Sequence, residues 1–353
     1  MPSPFPPPAD LRVQDWSAYD LIIDARSPRE YAEDHVPGAL NLPVVGDDEF
    51  AQVGTLHRTD THGAYLIGVA MSLRNMAQAI DTRITALPKD ARVMVYCFRG
   101  GKRSELWSTA LRIIGFKVDV VQGGWKNYRR WVRESLESLP ARFDWRVLCG
   151  RTGAGKTRLL SALQARGHQV LDLEALANHR GSVLGDLPGT PQPTQKWFDS
   201  LVLDALRRLD PEQPVWVESE SKKIGRLQVP QALLDAMHAA PTVTLSTAMP
   251  ARVTLWKEDY PHLAADPAAM VALLAPMKPL IGGEELARWV ALAAARDVDT
   301  LFERVMTHYY DPLYDRSLAR DFPADDRGLG IPLESLDADA LKAAVCELAK
   351  WAA

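Results

Sequence analysis

The chain of 353 residues is long enough for two domains with separate cores, and its 47% hydrophobic and 24% charged residues are ordinary for a soluble globular protein. It has no run near the ~20 apolar residues of a membrane-spanning helix, and no basic region followed by an apolar one at its start. Three widely separated cysteines exclude a disulfide framework and a cysteine zinc knuckle. These features predict a cytoplasmic protein without a membrane anchor.

The net charge of −4 conceals a basic segment. From Lys89 to Arg133, eleven basic residues stand against three acidic ones, so the remainder of the chain is strongly acidic. A concentration of positive charge favours binding to a polyanion. A solvated face with unremarkable Lys and Arg side chains is the alternative, and both interpretations stay open.

The chain begins with a tail, residues 1–10, whose prolines and small residues predict disorder. The next segment predicts a short strand over residues 21–24 that ends in the carboxylate of Asp24. Ser27 can cap a helix begun by Pro28. Residues 35–43 predict a turn that leads into a second short strand. These elements open a first domain, which we place at residues 11–140.

A cysteine lies at the end of the next predicted strand. Apolar residues 93–96 precede it, adjacent glycines follow it, and residues 105–111 have helical spacing. Backbone N–H groups of such a loop can stabilise an anion, and nearby cations would shift a thiol towards its reactive thiolate. The predicted catalytic residue is Cys97, and the active-site loop comprises Arg99, Gly100, Gly101, Lys102 and Arg103. The alternative is that this cysteine is a small buried hydrophobe.

These elements together resemble the rhodanese, or sulfurtransferase, family. The resemblance rests on Asp24-x-Arg26 before Glu30-Tyr31, a His-x-Pro-Gly-Ala-x-Asn-x-Pro run at residues 35–43, the Cys97 loop, and a Gly-Gly turn at residues 123–124. It implies a thiolate that accepts a sulfur atom as a persulfide, with the loop amides holding it.

The spacing between Cys97 and Arg103 is C-x5-R, which tyrosine-type phosphatases share. That spacing makes phosphate, or an analogue such as selenophosphate, a fitting ligand. Phosphatases of that type usually have histidine before the cysteine, whereas this chain has Tyr96. A phosphatase is therefore kept as an alternative.

A domain boundary is expected near Pro140, where a charged helix ends. A second domain, residues 141–353, opens with a strand, the motif G-x4-G-K-T and a helix, which is the setting that a phosphate-binding loop requires. Glycines permit the anion-binding backbone, Lys156 can reach terminal phosphates, and the Thr157 hydroxyl can bind Mg²⁺. The predicted phosphate-binding residues are Gly150, Arg151, Thr152, Gly153, Ala154, Gly155, Lys156 and Thr157.

Further predicted strands of the second domain end in acidic residues. Residues 215–220 have the apolar-then-acidic form of a Walker B strand, and two carboxylates two positions apart on an extended strand share one face. Each such strand could equally end at solvent. The possible acidic partners are Asp172, Glu174, Glu218 and Glu220. Residues 178–185 suit a substrate loop without identifying its ligand, and the chain from Val253 onward is predicted to be mostly helical.

The sequence thus predicts an α/β protein, with an N-terminal rhodanese-like domain followed by a P-loop NTPase-like α/β domain that has a helical C-terminal part. Over nearly the whole chain after the tail, it resembles the bacterial tRNA 2-selenouridine synthase family. Beyond the domain order, the resemblance rests on residues 172–182, 218–225 and 309–314. It implies exchange of sulfur for selenium in the wobble 2-thiouridine of tRNA through an S-geranyl intermediate, with geranyl diphosphate and selenophosphate as substrates. It also implies that Cys97 is the essential cysteine.

The same resemblance implies that the anticodon loop of tRNA is a partner, and an enzyme that supplies selenophosphate is a further candidate. No tightly bound cofactor is expected, with Mg²⁺ as the one candidate ion. The candidate tRNA-binding residues within the basic segment are Arg129, Arg130 and Arg133.

The P-loop is interpreted as a diphosphate site, because alkylation makes the thiouridine sulfur a better leaving group and requires diphosphate to depart. ATP hydrolysis in the P-loop is the alternative. Cys97 would handle either the incoming selenium or the departing thiol. Two other functions stay open: a persulfide sulfurtransferase whose P-loop domain uses ATP, and a nucleotide-regulated binding module with an inactive rhodanese part. The presence of the cysteine and of the loop cations argues against the inactive module.

Overall fold

The structure is a computed structural model that describes residues 18–322 and 327–352. The predicted tail, residues 1–10, lies outside the described residues. The chain forms two compact units. The first contains the residues up to Leu139 together with Thr194–Arg208, and the second contains Pro140–Pro193 and the residues from Leu209 onward.

The helices and strands have the following bounds. Up to Ser138 they are β1 (Leu21–Asp24), α1 (Pro28–Glu33), β2 (Leu40–Asn41), α2 (Asp47–Leu56), α3 (Thr61–Ala79), β3 (Arg92–Tyr96), α4 (Lys102–Ile114), β4 (Lys117–Val120) and α5 (Gly124–Ser138). From there to Thr247 they are β5 (Trp145–Cys149), α6 (Lys156–Gln164), β6 (Gln169–Leu171), α7 (Leu173–Ala177), α8 (Gln195–Arg207), β7 (Val215–Glu218), β8 (Lys223–Ile224), β9 (Leu227–Gln228), α9 (Gln231–His238) and β10 (Thr242–Thr247). The remainder are α10 (Met249–Asp259), α11 (Pro261–Ala265), α12 (Pro267–Leu274), α13 (Lys278–Ile281), α14 (Gly283–Ala295), α15 (Val298–Val305), α16 (Asp311–Asp321), β11 (Leu329–Leu333) and α17 (Ala338–Trp351).

The first unit is built on a parallel sheet in the order β2-β1-β3-β4. The strand β3 lies inside this sheet, and its residues from Val93 to Tyr96 are buried. Its apolar run suits that place, because the strands of a parallel sheet are covered on both faces. The side chains of Trp107 and Leu111 on α4 complete the core beside it. Cys97, the residue after β3, therefore lies at the carboxyl edge of a rigid sheet.

The helix α8 belongs to the first unit, although its neighbours along the chain belong to the second. It buries Phe198, Val202 and Leu206 and packs against α5. The ring of Trp197 stacks on His35 with 3.9 Å between centroids. The predicted domain ranges assign α8 to the P-loop domain. The structure divides the chain at Leu139–Pro140, and it additionally places Thr194–Arg208 with the rhodanese-like residues.

The second unit is built on a five-stranded parallel sheet in the order β11-β10-β5-β7-β6. The chain leaves the central strand β5 towards β6 and later crosses to β10 on the other side. Ligands of open parallel sheets bind where the strand order reverses in this way, at the carboxyl ends of the strands. The P-loop follows β5 directly and so lies at that position.

The region after Val253 is mostly helical, as predicted, but it also contains a strand that the sequence did not indicate. The strand β11 pairs with β10 in parallel, with Val243 opposite Leu329. It contains Gly330 and Pro332, which weaken a strand pattern. An edge strand tolerates proline because one of its sides has no neighbour to accept a donated hydrogen bond.

The helices α10 to α16 enclose a core of their own around Trp256, Met270, Trp289 and Phe302. The helices α10, α12, α14 and α15 each contribute buried apolar side chains to this cluster. Among the described residues, no helix combines the length and the apolar character that crossing a membrane requires.

Candidate active sites

The first candidate site is the loop after β3, which a close approach between two backbone segments holds in place. The amide of Trp125 donates to the Cys97 carbonyl at 2.8 Å, and the amide of Lys126 donates to the Phe98 carbonyl at 3.0 Å. Gly124 has φ +57°, and a Cβ there would overlap the Cys97 carbonyl oxygen. Only glycine fits this contact. The Gly-Gly turn noted in the sequence thus fastens the cysteine loop to the start of α5.

The Cys97 thiol is buried and surrounded by hydrogen-bonding groups. Its sulfur lies 3.3 Å from the Ser104 hydroxyl. Burial raises the pKa of the thiol, but hydrogen bonds from the Ser104 side chain and from the backbone of Ser104, Arg99 and Gly101 outweigh burial and lower that pKa. Such donors stabilise a thiolate, which is the nucleophilic form. The loop therefore favours a reactive cysteine over an inert buried one.

The cations of this loop are engaged by other side chains. Arg103 donates to both carboxylate oxygens of Glu30, at 2.6 and 3.3 Å. The Lys102 ammonium lies 3.6 Å from the centre of the Tyr65 ring. The sequence attributed the activation of Cys97 to the loop amides together with nearby cations; among these, the hydrogen bonds of the loop lower the pKa of the thiol in the structure. The C-x5-R arginine, on which the phosphatase alternative depends, is held by the Glu30 carboxylate.

A buried network explains why α8 belongs to this unit. The Asp34 carboxylate accepts hydrogen bonds from Trp125 Nε1 at 2.8 Å and from the Ser200 hydroxyl at 2.7 Å, and it lies 3.5 Å from Arg129 Nε. Burial raises the pKa of Asp34 to about 6, against the opposing effect of Arg129. Arg129 also pairs with Asp199 of α8 at 2.9 Å. This arginine is buried in a structural network, so it is unsuited to the tRNA contact that the sequence predicted.

The two other arginines predicted to bind tRNA, Arg130 and Arg133, are exposed on α5. The Arg130 guanidinium donates to the Asn127 carboxamide oxygen at 2.6 Å. A tRNA contact by these two stays a prediction.

The second candidate site is the P-loop, which links β5 to α6. Gly155 has φ +87°, and a Cβ there would overlap the Leu336 side chain. The Lys156 ammonium donates to the Gly150 carbonyl at 2.9 Å across the loop. Burial penalises the ammonium, but Tyr314 and the carboxylates of Glu218, Glu174 and Glu220 outweigh that penalty, so the pKa of Lys156 is raised. The lysine therefore stays cationic at the position where phosphate oxygens would bind.

Three of the four acidic residues predicted from the sequence converge beside Lys156. Glu174, Glu218 and Glu220 each offer an oxygen within 4.8 Å of the others. Burial, followed by the Glu218 charge, raises the pKa of Glu220 to about 8. Burial also raises the pKa of Glu218, against the effects of Lys156 and the Thr157 hydroxyl. The Glu218 Oε1 atom is buried without a hydrogen-bond partner among the described residues, so this cluster suits an added cation.

The fourth acidic residue, Asp172, does not belong to this cluster. Its carboxylate accepts a hydrogen bond from the Ala175 amide at 2.9 Å and caps α7.

Cys149, beside the P-loop, is buried, and burial raises the pKa of its thiol to about 11. It packs within the sheet as the sequence suggested.

The P-loop opens into a cavity of about 390 Å³. Part of its lining is polar and comes from the P-loop, the three glutamates and residues 180–182. The rest is apolar and aromatic and comes from α10, α16 and the adjoining turns. This apolar wall is formed by Leu255, Trp256, Tyr260, Tyr309, Tyr310, Leu313, Tyr314, Leu318 and Phe322. The cavity can therefore hold an anionic head and a hydrocarbon tail at once.

Comparison with known proteins gives the family. Residues 143–271 match the family model described as the AAA domain of tRNA 2-selenouridine synthase, and residues 9–130 match the rhodanese-like domain. The tRNA 2-selenouridine synthase of Aeromonas salmonicida is 33% identical over 83% of this chain and 86% of its own. That of Alcanivorax borkumensis is 32% identical over 85% of this chain and 90% of its own.

The chain belongs to the tRNA 2-selenouridine synthase family. This confirms the predicted fold class, a rhodanese-like domain followed by a P-loop α/β domain. A member of the family is an enzyme of tRNA modification that makes selenouridine. The roles of the individual site residues stay predictions.

Sequence reasoning about this family member missed the groups that hold the apolar wall against the P-loop. Arg252 forms a buried two-point ion pair with Asp311, at 2.6 and 2.9 Å, and its Nε donates to the Thr152 carbonyl at 2.9 Å. Arg252 thus joins α10, the P-loop and α16. The aromatic run at residues 308–314 was the one sequence signal that pointed here, because it interrupted the alanine- and leucine-rich pattern.

Proposed function

We propose that this enzyme replaces sulfur by selenium at the wobble 2-thiouridine of tRNA in two steps, through an S-geranyl intermediate. In the first, the thiouridine sulfur bonds to C1 of geranyl diphosphate, the C1–O bond breaks, diphosphate leaves with the electron pair, and the N3 proton is released. In the second, the selenium of selenophosphate bonds to C2 and geranylthiolate leaves. Water then cleaves the selenium–phosphorus bond and releases phosphate.

The observation that carries this proposal is the cavity of about 390 Å³, whose lining combines the P-loop and acidic residues with apolar and aromatic side chains. A diphosphate group suits the P-loop amides and the Lys156 ammonium, because both bind phosphate oxygens. A prenyl chain suits the wall of leucine, tryptophan and tyrosine side chains. Aromatic faces also stabilise positive charge, which develops at C1 as the allylic C–O bond breaks.

Mg²⁺ fits the acidic part of the cavity lining. Carboxylate and hydroxyl oxygens are the ligands that Mg²⁺ prefers, and Glu174, Glu218, Glu220 and Thr157 would supply them. When bound, the ion would neutralise charge on the departing diphosphate. The unpartnered Glu218 oxygen supports this assignment.

Cys97 is assigned to the selenium step. Its loop supplies hydrogen bonds that stabilise an anion, and Ser104 and the backbone of Gly101 provide them beside the sulfur. The same donors suit the phosphoryl group of selenophosphate. An enzyme that delivers selenophosphate is the proposed partner for this step, and the exposed Arg130 and Arg133 remain candidate tRNA contacts.

A substitution in the apolar wall tests the function. Leu318→Trp adds bulk to the apolar lining of the cavity without altering the P-loop. If the added bulk excludes two methylene groups of the geranyl chain, the binding free energy weakens by about 1.6 kcal/mol, at ~0.8 kcal/mol for each group. We therefore expect KM for geranyl diphosphate to rise at least about tenfold, while inhibition by inorganic diphosphate stays unchanged. Leu273→Trp, at an exposed leucine of the same unit, is the matched control. An unaltered KM would exclude this wall as the site of the prenyl chain, and geranylation that strictly requires ATP would favour a nucleotide in the P-loop.

A further inference from the structure

A second, more open cavity of about 630 Å³ shares lining residues with the P-loop cavity, which we call the reaction cavity. Ser182 and Val183 line both cavities. The second cavity has polar walls, and its lining includes His179, Asp186, Thr190, Gln192, Gly225 and Arg226. A substrate that reaches the reaction cavity past these two residues would also meet the second cavity.

The β8–β9 hairpin connects the two cavities along the chain. Ser221, just before the hairpin, lines the reaction cavity, and Gly225 and Arg226 at its tip line the second one. Ile224 and Leu227 are buried and anchor the hairpin, while Lys222, Lys223 and Arg226 are exposed. The sequence has no acidic residue between Ser221 and Leu234. The hairpin therefore presents a compact positive edge beside the reaction cavity.

One glutamine holds this edge rigidly. The Gln192 carboxamide donates to the carbonyls of Ala177 at 3.3 Å and Ile224 at 3.0 Å, and it accepts from the Arg226 amide at 2.9 Å. The Arg226 guanidinium donates back to the Gln192 carbonyl at 2.6 Å. A preorganised cationic edge binds phosphates at a lower entropic cost than a mobile one.

A buried histidine, His179, is among the residues that line the second cavity. His179 is 4% exposed, and its Nδ1 has no hydrogen-bond partner among residues 18–322 and 327–352. Its Nε2 lies 3.6 Å from an Asp186 carboxylate oxygen. Burial lowers the pKa of His179, against the opposing effect of Asp186. The imidazole thus gives the cavity a rigid, buried wall beside the polar side chains of Thr190 and Gln192.

We propose that the β8–β9 hairpin and the His179 cavity form the surface that receives the anticodon loop of tRNA. Lys222 and Lys223 bind phosphates, and the cavity accepts an unstacked base next to the one that reacts. Proteins read single-stranded RNA loops by splaying out bases in this way. The proposal rests on the proposed function only for the position of the reacting base.

The test measures binding of an unmodified anticodon stem-loop over a range of salt concentrations, without geranyl diphosphate or selenophosphate. Each contact with a single-stranded phosphate contributes about 0.7 to the slope of log affinity against log salt. The double variant Lys222→Ala, Lys223→Ala should therefore flatten the slope by about 1.4. If its affinity equals that of the unsubstituted protein at 1 M salt, its affinity at 0.1 M salt is then about 25-fold weaker than that of the unsubstituted protein. Lys342→Ala with Lys350→Ala removes the same charge from exposed positions of α17 in the same unit and should leave the slope almost unchanged.

A second variant separates the cavity from the charge. Thr190 is exposed at the cavity wall, so Thr190→Trp fills the cavity without disturbing a buried side chain. Affinity should fall at least about fivefold with the salt slope unchanged, because a base contact releases no counterions. Equal slopes for the two lysine pairs, or full affinity in the tryptophan variant, would overturn the proposal. If the variants lose RNA binding as expected but the unsubstituted protein does not geranylate thio-tRNA, the result counts against the proposed function alone.

Discussion

The hydrogen bond between Ser104 and Cys97 gives the sharpest prediction about the rhodanese-like unit. Ser104→Ala removes the hydroxyl that lies 3.3 Å from the cysteine sulfur. That hydroxyl also donates to the Gly101 carbonyl at 2.9 Å. Its single proton must therefore turn from this carbonyl to the sulfur in order to donate to the thiolate. The substitution should raise the pKa of Cys97, because the thiolate loses a donor that the neutral thiol needs less.

The magnitude follows from the difference between two hydrogen bonds. A bond to a charged group contributes about 1.5–3 kcal/mol and a neutral one about 1 kcal/mol. The net preference for the thiolate is therefore about 0.5–2 kcal/mol, and at ~1.36 kcal/mol per unit the pKa of Cys97 should rise by about 0.4–1.5 units.

The assay is the rate of alkylation of Cys97 by iodoacetamide as a function of pH, followed by mass spectrometry of the peptide that contains it. Ser108→Ala is the matched control, since Ser108 is a buried serine one turn further along α4 whose hydroxyl donates to the Glu105 carbonyl. It should leave the alkylation profile unchanged. An unshifted profile for Ser104→Ala, in a variant that melts at the wild-type temperature, would refute the hydrogen-bond explanation of the thiol's reactivity.

Two further predictions concern the chemical steps. Cys97→Ala should abolish conversion of geranylthio-tRNA to selenouridine-tRNA while the fold is kept, because the side chain is small; conversion at the wild-type rate, measured by nucleoside chromatography, would remove this cysteine from the mechanism. Lys156→Ala should depress geranylation of thio-tRNA at least about tenfold, since a charge-assisted hydrogen bond is worth about 1.5–3 kcal/mol and ~1.4 kcal/mol is a factor of ten. The same variant should still process tRNA geranylated beforehand, and loss of both steps together would contradict separate sites.

The positions of both candidate loops could be predicted from the sequence, because each is determined by neighbouring residues. A strand, a loop with glycines and a helix start follow one another at Cys97 and again at residues 150–157. The backbone geometry of such a loop depends on local conformational preferences, and glycine supplies the positive φ angles. The convergence of Glu218 and Glu220 was likewise indicated by their spacing after an apolar strand.

The surroundings of these loops were decided by tertiary structure. Arg129 looked like a surface cation, yet Asp34 and Asp199 bury it, and these partners lie far from it in the sequence. The apolar wall beside the P-loop likewise comes from α10 and α16, about 100 and 160 residues after the P-loop.

Whether a charged or apolar side chain is buried depends on which distant segments cover it, and a local pattern carries no information about that. For the same reason the sequence predicted a phosphate-binding loop and a reactive cysteine, whereas only the folded chain could add the apolar and aromatic wall of the cavity beside that loop.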